Sequence, residues 1–187
     1  MKVFYLGFIL ILTASTIKAQ SVYSVVNENS SIIVTGTSSV HDWDLRLEEM
    51  EGEATLLFEE DALKGIPSLI FSTFSKSVDS GKRVMNNKTR GALDSKKHPK
   101  ITFTLTEVVE VMSDSLVLEG DLTIAGYTKE IVLTGTYSVG TDGSFTASGI
   151  KQINMSDYGI KPPTAMLGTL KTGEEVVVEF NVRFQKN

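Results

Sequence analysis

The chain has 187 residues, 41% of them apolar and 22% charged, with 15 Gly, 4 Pro and a net charge of −5. This length and composition describe one globular domain and exclude wholesale disorder or a collagen-like repeat. The lack of cysteine removes disulfide scaffolds, thiolate metal sites and cysteine nucleophiles, two histidines (His41 and His98) leave little for a metal centre, and the acidic balance argues against a nucleic-acid partner.

Lys2 precedes an apolar run from Val3 to Leu12, and a polar stretch follows to Gln20. A basic start, a short apolar core and a small residue before a polar segment describe a secretory signal peptide. The run is too short for a membrane span, which needs about 20 apolar residues. Cleavage after Ala19 is expected, leaving a domain of residues 20–187 in the periplasm or outside a bacterial cell.

Beyond residue 20 the dominant period is two. Alternating runs occupy about 22–27, 31–39, 52–60 and 68–75, and Asn27-Glu28-Asn29-Ser30 supplies a turn between the first two. Between them, Ser39-Val40-His41-Asp42-Trp43-Asp44 holds the best candidates for metal binding or base chemistry, His41, Asp42 and Asp44. The structural alternative makes it a strand end or turn with Asp42 as a cap, His41 half-buried and Trp43 as a core anchor. Residues 82–98 lack alternation and end at Pro99, which predicts a short helix around 82–97, weakened by Gly91. Between Lys82 and Lys100, seven basic residues (Lys82, Arg83, Lys88, Arg90, Lys96, Lys97, Lys100) stand against one acid, Asp94. Such a run marks an anionic ligand, membrane or partner, or else a solvated face.

Alternation resumes at 101–106 and continues through Leu116, Leu118, Leu122 and Ile124 on one face, then through 128–139 and 144–156. Ser113-Asp114-Ser115, Gly140-Thr141-Asp142-Gly143 and Lys171-Thr172-Gly173 read as turns, and 160–170 as a loop with room for one helical turn. The last strand presents Val176, Val178, Phe180, Val182 and Phe184 to one side. About nine strands with one apolar face indicate antiparallel sheet. A two-layer sandwich and a closed barrel both satisfy the pattern, and only a barrel of about eight strands encloses a small apolar ligand. No nucleophile elbow, phosphate-binding loop or His-Glu-x-x-His is present, so no catalytic residue, metal or cofactor is expected.

Several stretches resemble one family. Leu118-Glu-Gly-Asp-Leu-Thr-Ile-Ala-Gly-Tyr-Thr-Lys129 is similar to the GDLTI-x-G-x-T strand pair of the YceI-like family, and His98-Pro-Lys-Ile-Thr-Phe103 to its yP-x-I-x-F strand entry. Ser77-Val-Asp-Ser-Gly81, Met155-Ser-Asp-Tyr-Gly-Ile160 and Ser38-Ser-Val-His41 resemble three further segments, in the family's order. Departures occur where Val84 replaces an aspartate, Ala92 and Leu93 replace two aromatics, His98 replaces a tyrosine and Asn154 an arginine.

The resemblance implies an antiparallel lipocalin-like β-barrel, exported, whose interior holds an isoprenoid quinone or isoprenyl phosphate, without established catalytic residues. Alternation then turns Phe71, Phe103, Leu122, Val178 and Phe180 inward as the channel lining, subject to a one-residue register slip. Arg83, Lys88 and Arg90 are the candidates to meet a charged head group. Peripheral membrane contact and homodimer formation are compatible with such a carrier. The alternative is a periplasmic structural or stress-linked interaction protein with a packed core and no stoichiometric ligand.

Overall fold

The computed structural model describes residues 19–59, 62–165 and 170–187. The expected signal peptide, apart from Ala19, lies outside them. Strand β1 (Ala19–Val25) is followed by β2 (Ser31–Ser38), β3 (Trp43–Leu47), β4 (Met50–Glu59), β5 (Ala62–Phe74) and β6 (Val78–Asp79). Helix α1 (Arg83–Ala92) leads to β7 (Lys100–Val111), β8 (Ser115–Ile124), β9 (Tyr127–Val139), β10 (Phe145–Asn154), β11 (Thr164–Ala165) and β12 (Leu170–Lys186).

All pairings are antiparallel, and the path β1-β4-β5-β7-β8-β9-β10-β12 returns to β1 through Tyr23–Lys186 and Val25–Phe184. The barrel is therefore closed by eight wall strands, the alternative that periodicity left open. Closure removes exposed sheet edges and gives the chain one inside and one outside. Along β8 the inside carries Leu116, Leu118, Gly120, Leu122 and Ile124, while Glu119, Asp121 and Thr123 point outward.

Three wall strands are interrupted, and the breaks lie side by side. β12 pairs with β1 at residues 184–186 and with β2 at 172–181, so β2 continues β1 past a short 3-10 turn, Asn27–Asn29. β3 and β6 extend β4 and β5 in the same way. Side chains replace the missing ladder bonds: Asn27 Nδ2 donates to the Met50 carbonyl and its Oδ1 accepts from the Met50 amide, both at 2.8 Å. In the next break the Ser77 hydroxyl accepts from the Glu49 amide at 3.3 Å, and Thr73 donates to the Glu49 carbonyl at 2.7 Å. Buried backbone groups must be satisfied, and short polar side chains do this where the ladder fails.

The structure corrects several expected boundaries. β3 was not expected as a separate strand, and β5 runs through Gly65 and Pro67 from Ala62. The expected turn at Lys171-Thr172-Gly173 lies inside β12, as a register shift between Thr172 and Val176. The run 144–156 ends at Asn154, because Met155–Tyr158 form a 3-10 turn closed by Gly159 at φ 65°. The helix stops at Ala92 rather than at residue 97. Asp94, at φ 46°, takes the left-handed position, with the Ser95 amide on the Arg90 carbonyl (3.0 Å) and the Asp94 amide on that of Gly91 (3.1 Å). That is a Schellman stop with Asp in the place usually held by Gly.

One end of the barrel is packed shut. Phe145 stacks on Tyr137 at 5.6 Å and meets Phe184 at 6.2 Å, and Tyr23, Leu56 and Leu63 are buried around them. Burial of this kind is the main stabilising term of the fold. Towards the other end a smaller cluster gathers Ile124, Met155, Tyr158, Ile160 and Val176.

Candidate functional site

Between the two clusters the interior is not filled. A cavity of about 610 Å³ runs from the Phe145–Phe184 floor to a mouth beneath α1. Its size lies within the ~300–1,000 Å³ range of small-molecule sites, above what a packed core leaves.

The reason for the void is local. The Phe103 ring lies over Gly120 of the neighbouring strand, and a Cβ there would come within 2.5 Å of it. Phe180 lies in the same manner over Gly149, where a Cβ would come within 2.7 Å. Trp43 covers Gly36, and its Nε1 donates to the Thr37 carbonyl at 3.0 Å. Glycine on the adjacent strand lets each ring flatten against the wall, leaving the axis of the barrel open.

All five residues expected to face inward, Phe71, Phe103, Leu122, Val178 and Phe180, line the cavity. Phe103 is buried, whereas the other four are only partly buried, because they face the cavity rather than another side chain. The helix closes the mouth with Val84, Met85, Lys88, Thr89, Ala92 and Leu93, which share one face at helical spacing.

The three basic candidates separate. Lys88 lines the cavity and its Nζ donates to the Thr164 carbonyl at 2.7 Å. Arg90 turns the other way: its guanidinium donates to the Val78 carbonyl at 3.2 Å and its charge acts on Asp79. Arg83 is exposed and stands outside the lining. A run of like charges on a helix spreads around it, so no more than one side of the run could face the mouth.

Asp79 anchors the start of α1. Its Oδ1 accepts from Asn86 Nδ2 at 2.7 Å and from the Gly81 amide at 3.0 Å, while Asn86 Oδ1 accepts from the Ser80 amide at 2.8 Å. The Asn86 hydrogen bond, ahead of that from Gly81, holds the Asp79 carboxyl below its ordinary value. Burial, and then the Asp157 charge, push the Tyr158 hydroxyl up, so this phenol stays neutral.

His41 is exposed at the mouth rather than half-buried, because the 39–42 loop projects from the barrel. Its backbone, not an Asp42 cap, closes the turn: the Ser38 hydroxyl donates to the His41 carbonyl at 2.6 Å. Asp42 and Asp44 are also exposed, and no cluster of three metal-binding side chains occurs among the described residues.

Sequence reasoning missed Lys151. It occupies an inward position of β10 between Gly149 and Ile153, and its Nζ donates to the Val132 carbonyl at 3.0 Å. That carbonyl is available because β9 and β10 pair only from Val139–Phe145 to Gly135–Gly149. Beyond this point a seam opens in the wall. The signal was present in the sequence, since Lys151 keeps step with Phe145 and Ala147 in the alternation, but lysine on a strand reads as outward.

A family model described as a YceI-like domain matches residues 23–184. A UPF0312 protein of Pseudomonas syringae pv. tomato is 32% identical over 121 residues, covering 60% of this chain and 63% of that protein. A UPF0312 protein of Vibrio cholerae is 32% identical over 101 residues, covering 50% and 53%. The chain thus spans less than two thirds of the length of these curated relatives. Among solved structures, Burkholderia cenocepacia BcnA superposes with a TM-score of 0.71 at 16% identity, covering 85% of this chain and 98% of that one. A polyisoprenoid binding domain from Saccharophagus degradans gives 0.70 at 15% identity, covering 88% and 98%. The likeness to both structures is one of fold.

Proposed function

The chain belongs to the YceI-like domain family, and from that premise we propose that it is an exported binding protein holding one lipid chain, an isoprenoid, inside the barrel. The observation that carries this function is the apolar cavity of about 610 Å³, walled by Phe71, Phe103, Leu122, Val178 and Phe180 and capped by α1. Each CH₂ moved from water into such a wall contributes about 0.8 kcal/mol, so a long chain binds without a dense set of polar contacts. The polyisoprenoid binding domain of the same fold supports this choice of ligand. The signal-peptide pattern of residues 1–19 supports export to the periplasm or beyond.

Binding rather than turnover fits the apolar lining. Loading occurs at the mouth, where Val84 (71% exposed) follows Lys82 and Arg83 at the start of α1, a rim suited to touching an anionic membrane surface. The packed-core alternative requires an interior without this void.

The test is organic extraction of protein purified from its natural host, followed by mass spectrometry of the extract. One lipid with a long apolar chain is expected at close to one per protein. Extract containing no stoichiometric lipid sinks the proposal.

A further inference from the structure

The charge of the cavity lining is opposite to that of the chain. Aspartate and glutamate outnumber lysine and arginine 23 to 18 overall, yet the described lining contains Lys82, Lys88, Lys151, Lys171 and His41 and no carboxylate. Lys82, Lys88 and Lys171 belong to the mouth, and Lys88 is already engaged by the Thr164 carbonyl. Lys151 differs from them, because it projects from the wall itself, opposite Val178 and on the same inner face as Ile153.

Nothing in the described residues balances its charge. Among the described residues no ion pair involves Lys151, and the acceptor it meets is the Val132 carbonyl at 3.0 Å, an edge group freed by the seam between β9 and β10. An ammonium group has three donors, so two remain. Lys151 is half-buried and its bond to Val132 is open to solvent, so solvent meets the remaining donors until an oxyanion, the partner that holds an ammonium group most strongly, takes its place. A seam in the sheet gives room for such a group without breaking the ladder elsewhere.

We infer that Lys151 is the recognition point for an acidic head group, the carboxylate or phosphate monoester of a single-chain amphiphile, seated at the β9–β10 seam. This inference rests on the lipid-binding function proposed above and names the class of head. An uncharged quinone or alcohol head leaves the two lysine donors unused, whereas an oxyanion takes them up. The apolar chain then lies along the bore between Leu122 and Phe180.

The test uses the full domain and three probes of one chain length: hexadecanoate, hexadecyl phosphate and hexadecanol, each displacing a fluorescent apolar dye. The wild type is expected to prefer at least one of the two anions to the alcohol by tenfold or more. Lys151→Met should abolish that preference while leaving hexadecanol affinity unchanged, Lys151→Arg should keep it, and Lys88→Met should keep it. The inference is overturned if the wild type shows no preference, if Lys151→Met retains it, or if that variant weakens all three probes alike. Loss of preference in Lys88→Met alone would place the head at the mouth and also overturn it. Failure of all three probes to bind the wild type would instead bring down the lipid-binding function, and this inference with it.

Discussion

The ring of Phe180 lies over Gly149 of the adjacent strand, so close that a Cβ at residue 149 would come within 2.7 Å of it and within 2.9 Å of the Thr134 carbonyl. This pair of residues, with Phe103 over Gly120, keeps two large rings out of the bore. Gly149→Ala should therefore tilt Phe180 into the cavity and strain the wall. A stability loss of about 1–3 kcal/mol is expected from overpacking, together with weaker binding of an apolar dye. Chemical denaturation and dye titration check it; a variant with unchanged affinity would show that the ring does not govern the bore.

Lys88 ties α1 to β11 through the Thr164 carbonyl. The side chain is exposed, so the bond is worth about 0.5–1 kcal/mol, or roughly a two- to fivefold change in rate. Lys88→Met should speed release of a bound fluorescent lipid by that factor in a stopped-flow experiment. Unchanged release would mean that α1 does not gate the mouth.

Asp79 makes the lid sensitive to acid. Its carboxyl is held below its ordinary 3.8, first by the Asn86 hydrogen bond. A carboxyl that is more acidic folded than unfolded stabilises the folded state fully above the ordinary value, and this contribution is lost as pH falls through the folded value. Amide exchange of α1 should therefore accelerate below about pH 4, beyond the intrinsic change of exchange rate with pH. Asp79→Ala should show the faster exchange already at neutral pH. Asp142, lowered first by the Ser144 hydroxyl, titrates in the same direction at the other end of the barrel, so the readout must be specific to the helix.

Phe145 is 1% exposed and contacts both Tyr137 and Phe184. Phe145→Ala should cost about 3–5 kcal/mol, while Val109→Ser, on the outer face and 53% exposed, should stay within about 0.5 kcal/mol. Equal losses in urea denaturation would contradict the assignment of this end as the closed one.

The inner face was legible because burial on one side of a strand imposes a period of two, and that period survives along β8 and β12. The family motifs chose the barrel where periodicity left sandwich and barrel equal. The break at Asn27–Asn29 was legible as a turn, but not that β2 continues the line of β1 beyond it, nor the break at Ser77, since the pairing of Asn27 with Met50 and of Ser77 with Glu49 joins side chain to backbone across distant segments. Neither was the void, which depends on Gly120 and Gly149 lying beneath rings contributed by other strands. The basic run misled in part for the same reason: Arg90 lies close to Lys88 in the chain, but it bonds to the backbone of β6 rather than facing the mouth.

The central claim is that the bore holds a lipid chain, and intact-complex mass spectrometry of protein from its natural host tests it most directly. The wild type should carry the added mass of one single-chain lipid, and Leu122→Trp, which fills the bore from a cavity-facing position, should lose that mass while remaining folded. A wild-type protein at its bare polypeptide mass, or an adduct that survives Leu122→Trp undiminished, would contradict the account.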